Sequence, residues 1–386
     1  MKHSWLVLWL ALPASVWGQD PGDIKLQFHG LVAQGGLLSS HNNYLTANTS
    51  DGSTQWTEAA VNAIAAISDN FRVGLQVHTY RLGELGQMKL EVDWAYGDYR
   101  FREWLGLRAG KVKTPLGLFN DTQDIDSLHL WALLPQSVYP ADNRSWTLAH
   151  TGGDLYGRVG LPARLGSLSY QGYFGSRTVD PADGYFQSAA DAGLTVQGSP
   201  FGRLYGGDLR WQTPRHGWMA GASVGLADIS GTVTFGSLPF PITIRSTSDT
   251  NTALYGEYEN GKWYAAGEFR RRIWNLTIPE LGIAAAGLDS RAGYVMGSYR
   301  VHPKLNLGAY WSHFEYARIE SMNVPFNSPS CNDWVAAARF DPNHYFYLKL
   351  EAHYLDGNAT GFYQSTNPRG LDRVTHLLAA KIGFSF

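Results

Sequence analysis

Three short stretches of this sequence hold residues whose types and spacing could do chemistry. The first, Gly-Ala-Ser-Val-Gly at Gly221–Gly225, has the Gly-x-Ser-x-Gly spacing that can surround a nucleophilic serine. That chemistry needs a sharp strand-to-helix turn to lift the hydroxyl clear of the backbone. Ser223 lies inside an alternating strand pattern with no helical pattern after it, which argues against a hydrolase. The second, Asn120–Asp126, gathers carboxylate and amide oxygens as calcium loops do, but it lacks their spacing and their glycine. The twelve histidines show no His-x-x-x-His spacing, and Cys331 is the single cysteine, so no zinc set and no intrachain disulfide follows. No metal and no cofactor is expected. The third, Arg270–Arg272, is the densest basic spot, and strand alternation would send Arg270 and Arg272 to one face and Arg271 to the other.

The elements that must position these residues are strands. Only 17% of the 386 residues are charged and the net charge is -2, which excludes a nucleic-acid balance. Gly (43), Tyr (21) and Trp (14) are plentiful, as suits a β-protein with many turns and an interfacial aromatic belt. Lys2 and His3, an apolar run from Trp5 to Trp17 and small residues to Gly18 read as a secretory signal over residues 1–18. From residue 19 to 386 no apolar run is long enough for a membrane helix.

Most of the mature chain alternates with a period of two. Met88, Leu90, Val92, Trp94 and Tyr96 are set on one face against Lys89, Glu91 and Asp93. Phe346, Leu348, Leu350, Ala352 and Tyr354 are set against Tyr347, Lys349, Glu351 and His353. Seven short connections rich in turn residues, such as Glu259–Lys262, alternate with eight long polar ones, at about 36–55, 82–87, 115–150, 177–201, 231–249, 275–289, 317–331 and 356–373. Fifteen connections join about sixteen strands. Segregated loop lengths and an even strand number fit a transmembrane barrel, which must close because lipid offers no partner to a strand edge. The expected fold is therefore all-β: a closed transmembrane antiparallel β-barrel over 19–386, with the 115–150 segment folded into its lumen.

The C-terminal Ile-Gly-Phe-Ser-Phe, with Phe384 and Phe386 on one face, resembles the ending of Gram-negative outer-membrane porins. Leu105–Asp126 and Phe28–Leu45 are similar to segments of porins related to the phosphate-selective type. The resemblance implies an outer-membrane location and a homotrimer. It implies outer-membrane lipid and lipopolysaccharide as surroundings, and an assembly machinery that reads Phe384 and Phe386. It also singles out Lys111 and Lys113 as basic residues leading into the long loop.

A barrel of this size is too wide for its own side chains to fill. The 115–150 segment, with Leu130, Trp131, Leu133, Leu134 and Val138, is the candidate to narrow it. Its acids Asp121, Asp124, Asp126 and Asp142 outnumber Arg144. Strand parity turns Arg108, Arg158, Arg210, Arg270, Arg272, Arg339, Lys349 and Lys381 inward, with Glu91, Asp93, Asp208, Glu257, Glu268 and Glu351. Loop acids facing a basic wall would set up a transverse field, while most wall charges would only pair with neighbours. The function expected is passive diffusion of small hydrophilic solutes and ions. The alternatives are a channel preferring phosphate or another small anion, and a barrel enzyme or adhesin.

Overall fold

The computed structural model describes residues 24–162, 164–191, 193–236, 240–321 and 328–386. The expected signal segment, 1–18, lies outside the described residues. Eight strands form the first half: β1 Lys25–Ser39, β2 Ser53–Ala66, β3 Phe71–Leu82, β4 Glu91–Arg102, β5 Leu105–Lys113, β6 Ala149–Gly160, β7 Ser167–Thr178 and β8 Leu194–Gln212. Eight more follow: β9 Trp218–Phe235, β10 Ile242–Asn260, β11 Trp263–Ile278, β12 Ile283–His302, β13 Leu305–Ser321, β14 Ser330–Phe340, β15 Phe346–Gly357 and β16 Val374–Ser385. Two short helices, α1 Arg144–Thr147 and α2 Gly184–Asp191, sit in connections. Every strand pairs antiparallel with its chain neighbours and β16 pairs with β1, so the sheet closes into a sixteen-stranded barrel. At the seam, Phe386 exchanges both backbone hydrogen bonds with Gly30, at 3.1 and 3.0 Å.

The alternation is that of a protein turned inside out. On β15, Tyr347, Lys349, Glu351 and His353 are buried, Lys349 completely, while Leu350 on the opposite face is 50% exposed. An outward apolar face with an inward charged one is stable only where the outside is lipid. Two borders mark that band. Near the short turns, outward rings stack in pairs: Tyr99 with Phe101, Trp218 with Tyr258, Trp263 with Tyr299 and Phe346 with Phe384, at centroid distances of 4.7, 4.8, 4.5 and 5.0 Å. Towards the long connections, exposed arginines meet carboxylates on neighbouring strands: Arg245 with Asp228, Arg271 with Asp289 and Arg373 with Asp356. Arg271, which alternation sends to the face opposite Arg270 and Arg272, does face outward, and Asp289 accepts from its Nε and Nη2 at 3.0 and 2.7 Å.

Two expectations need correction. Trp94 and Tyr96 do not share the outward face of Leu90 and Val92. Gln76 pairs with Trp94 and Val77 with Val92, so Asp93 is an extra, bulged residue that reverses the parity of the rest of β4. Trp94 is buried over Gly74, and Tyr96 stacks on it at 5.3 Å. The second correction concerns loop lengths. The connections expected at 231–249 and 275–289 are mostly strand: β9 runs to Phe235, β10 starts at Ile242, β11 ends at Ile278 and β12 starts at Ile283. β8 to β13 have 19, 18, 19, 16, 20 and 17 residues. About 9–11 residues suffice to cross a bilayer, so these six strands continue well beyond the apolar band. There a small apolar cluster forms on one face, with Val233, Ile242 and Ile278 buried against Leu194, Val196 and Phe235.

Candidate functional site

Segment 114–148 joins β5 to β6 and touches almost every part of the wall. Leu118, Phe119, Leu130, Trp131, Leu134, Val138 and Tyr139 pack on Met219, Tyr255, Tyr294, Met296, Tyr310 and Val335 of β9 to β14. Phe119 stacks on Tyr294 at 6.1 Å, and Trp131 meets Tyr310 edge-on at 4.9 Å. Ala132 and Leu133 join a second cluster with Trp56, Leu355 and Leu377 of β2, β15 and β16. These partners belong to strands on opposite sides of the closed ring. Each fully buried side chain of this size contributes about 1.5–3 kcal/mol.

Charges fasten the same segment. Asp121 accepts from Arg210 at 2.9 Å, and Asp124 from Lys113 at 2.5 Å and from Gln76 at 2.9 Å. Asp126 lies between Lys349 and Lys381, 2.9 Å from each. Arg144 of α1 reverses the polarity and donates to Asp93 at 2.6 Å. Arg339 donates to the carbonyls of Ser127 and His129, at 2.6 and 2.7 Å. Glu351 accepts the backbone N–H groups of Ala132 and Leu133, at 2.7 and 3.0 Å. Burial pushes the His129 imidazole down to about 4, so it stays neutral, and its ring Nε2 meets the Thr122 carbonyl at 2.9 Å.

Glu268 on β11 is the point where the segment enters. It accepts from Arg270 at 2.9 Å, from the Leu118 N–H and the Tyr294 hydroxyl at 3.2 Å each, and from the Tyr139 hydroxyl. Arg270 in turn donates to the carbonyls of Val138 and Leu116, at 3.0 and 3.2 Å. Gly117 passes between them with φ +83°, where a Cβ would meet Glu268, Arg270 and Tyr139. Its N–H donates to Ser223 Oγ at 2.8 Å. Ser223 thus lies in mid-strand on β9 with its oxygen committed to this anchor, not on a strand-to-helix turn.

The loop acids and wall bases are therefore brought together, but at contact distance. Opposite charges 2.5–2.9 Å apart cancel most of each other's far field, so they clamp the segment where a field across an open gap was expected. Of the other residues named from sequence, Arg272 is held by both oxygens of Asp249 at 2.7 Å. Arg108 pairs with Asp98 at 3.2 Å and lies over Tyr96 and Tyr156. Lys111 donates to the Val92 carbonyl at 2.6 Å. Arg158 donates to Ser167 beside the 161–166 turn and is exposed. Among the described contacts these last three make none with segment 114–148. Phe384 and Phe386 lie on the outward face at the seam, 6.0 Å apart.

Sequence reasoning missed how the outer connections lock over the segment. Tyr363 donates its hydroxyl to Asp142, and Ser145 donates to Asp183 at 2.5 Å. Asp191 of α2 accepts the N–H groups of Gln364 and Ser365, at 2.7 and 3.0 Å. Burial raises the Asp142 carboxyl above the usual range and pushes Asp183 up to about 8, with Asp180 and Asp142 nearby adding to the rise. No pattern of two or of 3.6 encodes such loop-to-loop pairs. Between segment and wall remain cavities of about 500 Å³ beside β4 to β7, 110 Å³ beside β2, β3 and β16, and 100 Å³ against β7 to β13. Among the described residues no group of three or more His, Cys, Asp or Glu could hold a metal ion.

No family model and no curated protein matches the chain. Solved structures do. Outer-membrane expressed OmpT of Vibrio cholerae is similar over 96% of this chain and 100% of its own, with TM-score 0.60 at 12% identity. The outer membrane channel DcaP of Acinetobacter baumannii is similar over 96% and 99%, with TM-score 0.58 at 9% identity. An anion-selective porin from Comamonas acidovorans is similar over 94% and 100%, with TM-score 0.56 at 10% identity. The resemblance to outer-membrane porins holds at the level of the fold.

Proposed function

We propose that this protein is an outer-membrane channel for passive diffusion of small hydrophilic solutes and ions, narrowed by segment 114–148. The observation that carries the reading is the inverted wall. A closed ring of strands turns leucine and phenylalanine outward and paired charges inward, and one segment crosses the enclosed space without sealing it to a dry core. Ion pairs, tyrosine hydroxyls and cavities of 100–500 Å³ remain beside the segment. A polar path of this kind sieves by size and biases by charge.

Several finer features belong to the same proposal. Residues 1–18 direct export. Phe384 and Phe386 present the closing strand to the assembly machinery. Lipid and lipopolysaccharide surround the barrel, and the exposed arginine–carboxylate pairs suit the outer border of that layer. A homotrimer is the proposed assembly; one V. cholerae OmpT structure is described as a trimer form. A phosphate preference gains little support from Lys113, Arg210, Arg270 and Arg272, because each is neutralised by a carboxylate at 2.5–2.9 Å.

The test is reconstitution of folded protein in a planar bilayer. Stepwise conductance in KCl is expected, with a reversal potential in a salt gradient that shows weak selectivity. Absence of steps from protein shown to be folded overturns the channel. A strong anion preference with block by phosphate favours the substrate-preferring reading.

A further inference from the structure

Resting on that channel reading, the 100 Å³ cavity between segment 114–148 and the inward faces of β7 to β13 has a chemistry unlike the rest of the interior. Much of the inward face is ion pairs and apolar packing against the segment. Here Trp146, Tyr173, Tyr185 and Phe314 line one small space beside Arg177, and the Arg272 guanidinium lies over the Trp146 and Tyr185 rings at 5.3 and 5.2 Å. Trp146 is 6% exposed, meets Tyr185 edge-on at 5.6 Å, and is the largest side chain of α1.

The polar atoms of the cavity are out of balance. Among the described residues, Trp146 Nε1 and Arg270 Nε are buried donors with no hydrogen-bond partner, and Trp274 Nε1, on the ring packed against Trp146, is a third. Among the described residues of the lining, Asn251 Oδ1 is the fully buried side-chain acceptor without a partner. A buried donor left unpaired is destabilising, so the three donors favour a guest that brings acceptors.

Charge points the same way. Arg270 and Arg272 have Glu268 and Asp249, but no carboxylate lies within ion-pair distance of Arg177 among the described residues. Arg177 is 9% exposed and donates only to neutral oxygens: the carbonyl of Ala149 at 3.0 Å, Thr114 Oγ1 at 2.8 Å and the carbonyl of Trp146. These bonds use one N–H on each nitrogen, and a guanidinium carries five, so Nη1 and Nη2 each keep a second. Arg177 lines both this cavity and the 500 Å³ one beside it, so its guanidinium borders both spaces.

We infer that this cavity is a subsite for a small single-ring aromatic carboxylate, its ring among Trp146, Tyr185 and Phe314 and its carboxylate towards Arg177 and the unpaired N–H of Trp146. A water occupies about 30 Å³ and an apolar cavity of about 150 Å³ takes benzene, so a space of about 100 Å³ holds one ring at most and leaves the carboxylate at the Arg177 border of the 500 Å³ cavity. An inorganic oxyanion would leave the rings uncovered, and a neutral arene would leave the donors and Arg177 unanswered.

Benzoate is the probe. Single-channel current in KCl is recorded while benzoate, acetate, phosphate or benzyl alcohol is added to one side. Benzoate is expected to reduce the current saturably, at a concentration at least about tenfold below each of the other three. Trp146→Phe, which keeps a ring and removes the N–H, is expected to raise the half-blocking benzoate concentration about tenfold, as loss of one charge-assisted hydrogen bond implies. Arg177→Met is expected to raise it further. Benzoate acting no more strongly than acetate overturns the subsite, as does an unchanged half-block in Trp146→Phe. A protein with no KCl steps at all would defeat the channel reading instead. Calorimetric titration of benzoate against acetate into the folded protein in detergent then decides the subsite by itself: heat specific to benzoate and lost in Trp146→Phe supports it, and equal heats overturn it.

Discussion

Arg270 shows how much one side chain on the wall can hold. It is 6% exposed, neutralises Glu268 and caps two carbonyls of the crossing segment. Removing one partner of a buried ion pair costs about 3–5 kcal/mol because the other charge stays behind. Tyr139, Tyr294 and the Leu118 N–H still solvate Glu268, so Arg270→Met is expected near the lower end, about 3 kcal/mol. The temperature at which the folded band converts to the unfolded one on SDS gels should fall, and conductance should rise as the Leu116 and Val138 carbonyls lose their clamp. Unchanged conductance would show that the segment is held without Arg270. At this scale the sequence was partly legible. Alternation placed Arg210, Arg270, Arg272 and Lys349 inward. It could not show that Arg210 and Lys349 meet carboxylates of the segment, because Asp121 and Asp126 reach them through the path of an irregular loop, whereas Arg270 and Arg272 pair with Glu268 and Asp249 of the wall.

At the scale of elements, the connection that holds α2 lies against α1 through Asp183 and Ser145. A carboxyl raised to about 8 in the folded state binds a proton that the unfolded chain releases near 4. The contact is therefore complete below about pH 4 and weakens as pH rises through 8. The protection of amides across 180–191 against hydrogen exchange, corrected for the base-catalysed intrinsic rate, should fall between pH 7 and 9 in the wild type and hold in Asp183→Asn. The seam is the second element. The Phe386 ring lies over Gly30, where a Cβ would come within 2.5–2.6 Å of it. On refolding in detergent, where no assembly machinery reads Phe386, Gly30→Leu should lower the yield of heat-resistant barrel, and adding Phe386→Ala should recover part of it; a double variant no better than the single would disprove the steric cause. The strands themselves were legible wherever one face meets lipid. The bulge at Asp93 was not, since one extra residue leaves no mark on composition yet turns Trp94 and Tyr96 to the other face. The outer ends of β9 to β12 were hidden for another reason: Gly, Ser, Thr and Pro crowd 231–249, and the alternation of Val233 with Phe235 and of Ile242 with Ile244 is too short to mark a strand, although these residues close into one apolar cluster with Ile278.

For the whole molecule, closure was legible from loop lengths and strand number, because lipid forbids an edge whatever the side chains are. The uneven height of the wall was not. β8 to β13 stand side by side with 16–20 residues each, whereas β3 to β7 have 9–12 and β14 to β16 have 11–12. At about 3.3 Å per residue, a strand of 19 residues is about 60 Å long, roughly twice one of 10 residues. The mouth is in consequence cut on a slant, like the nib of a quill. In the outer-membrane channel proposed above, a large neighbour on the cell surface, whether polysaccharide chain or antibody, would meet the tall lip first. Small molecules would arrive over the low lip, on the side where β4 to β7 border the 500 Å³ space.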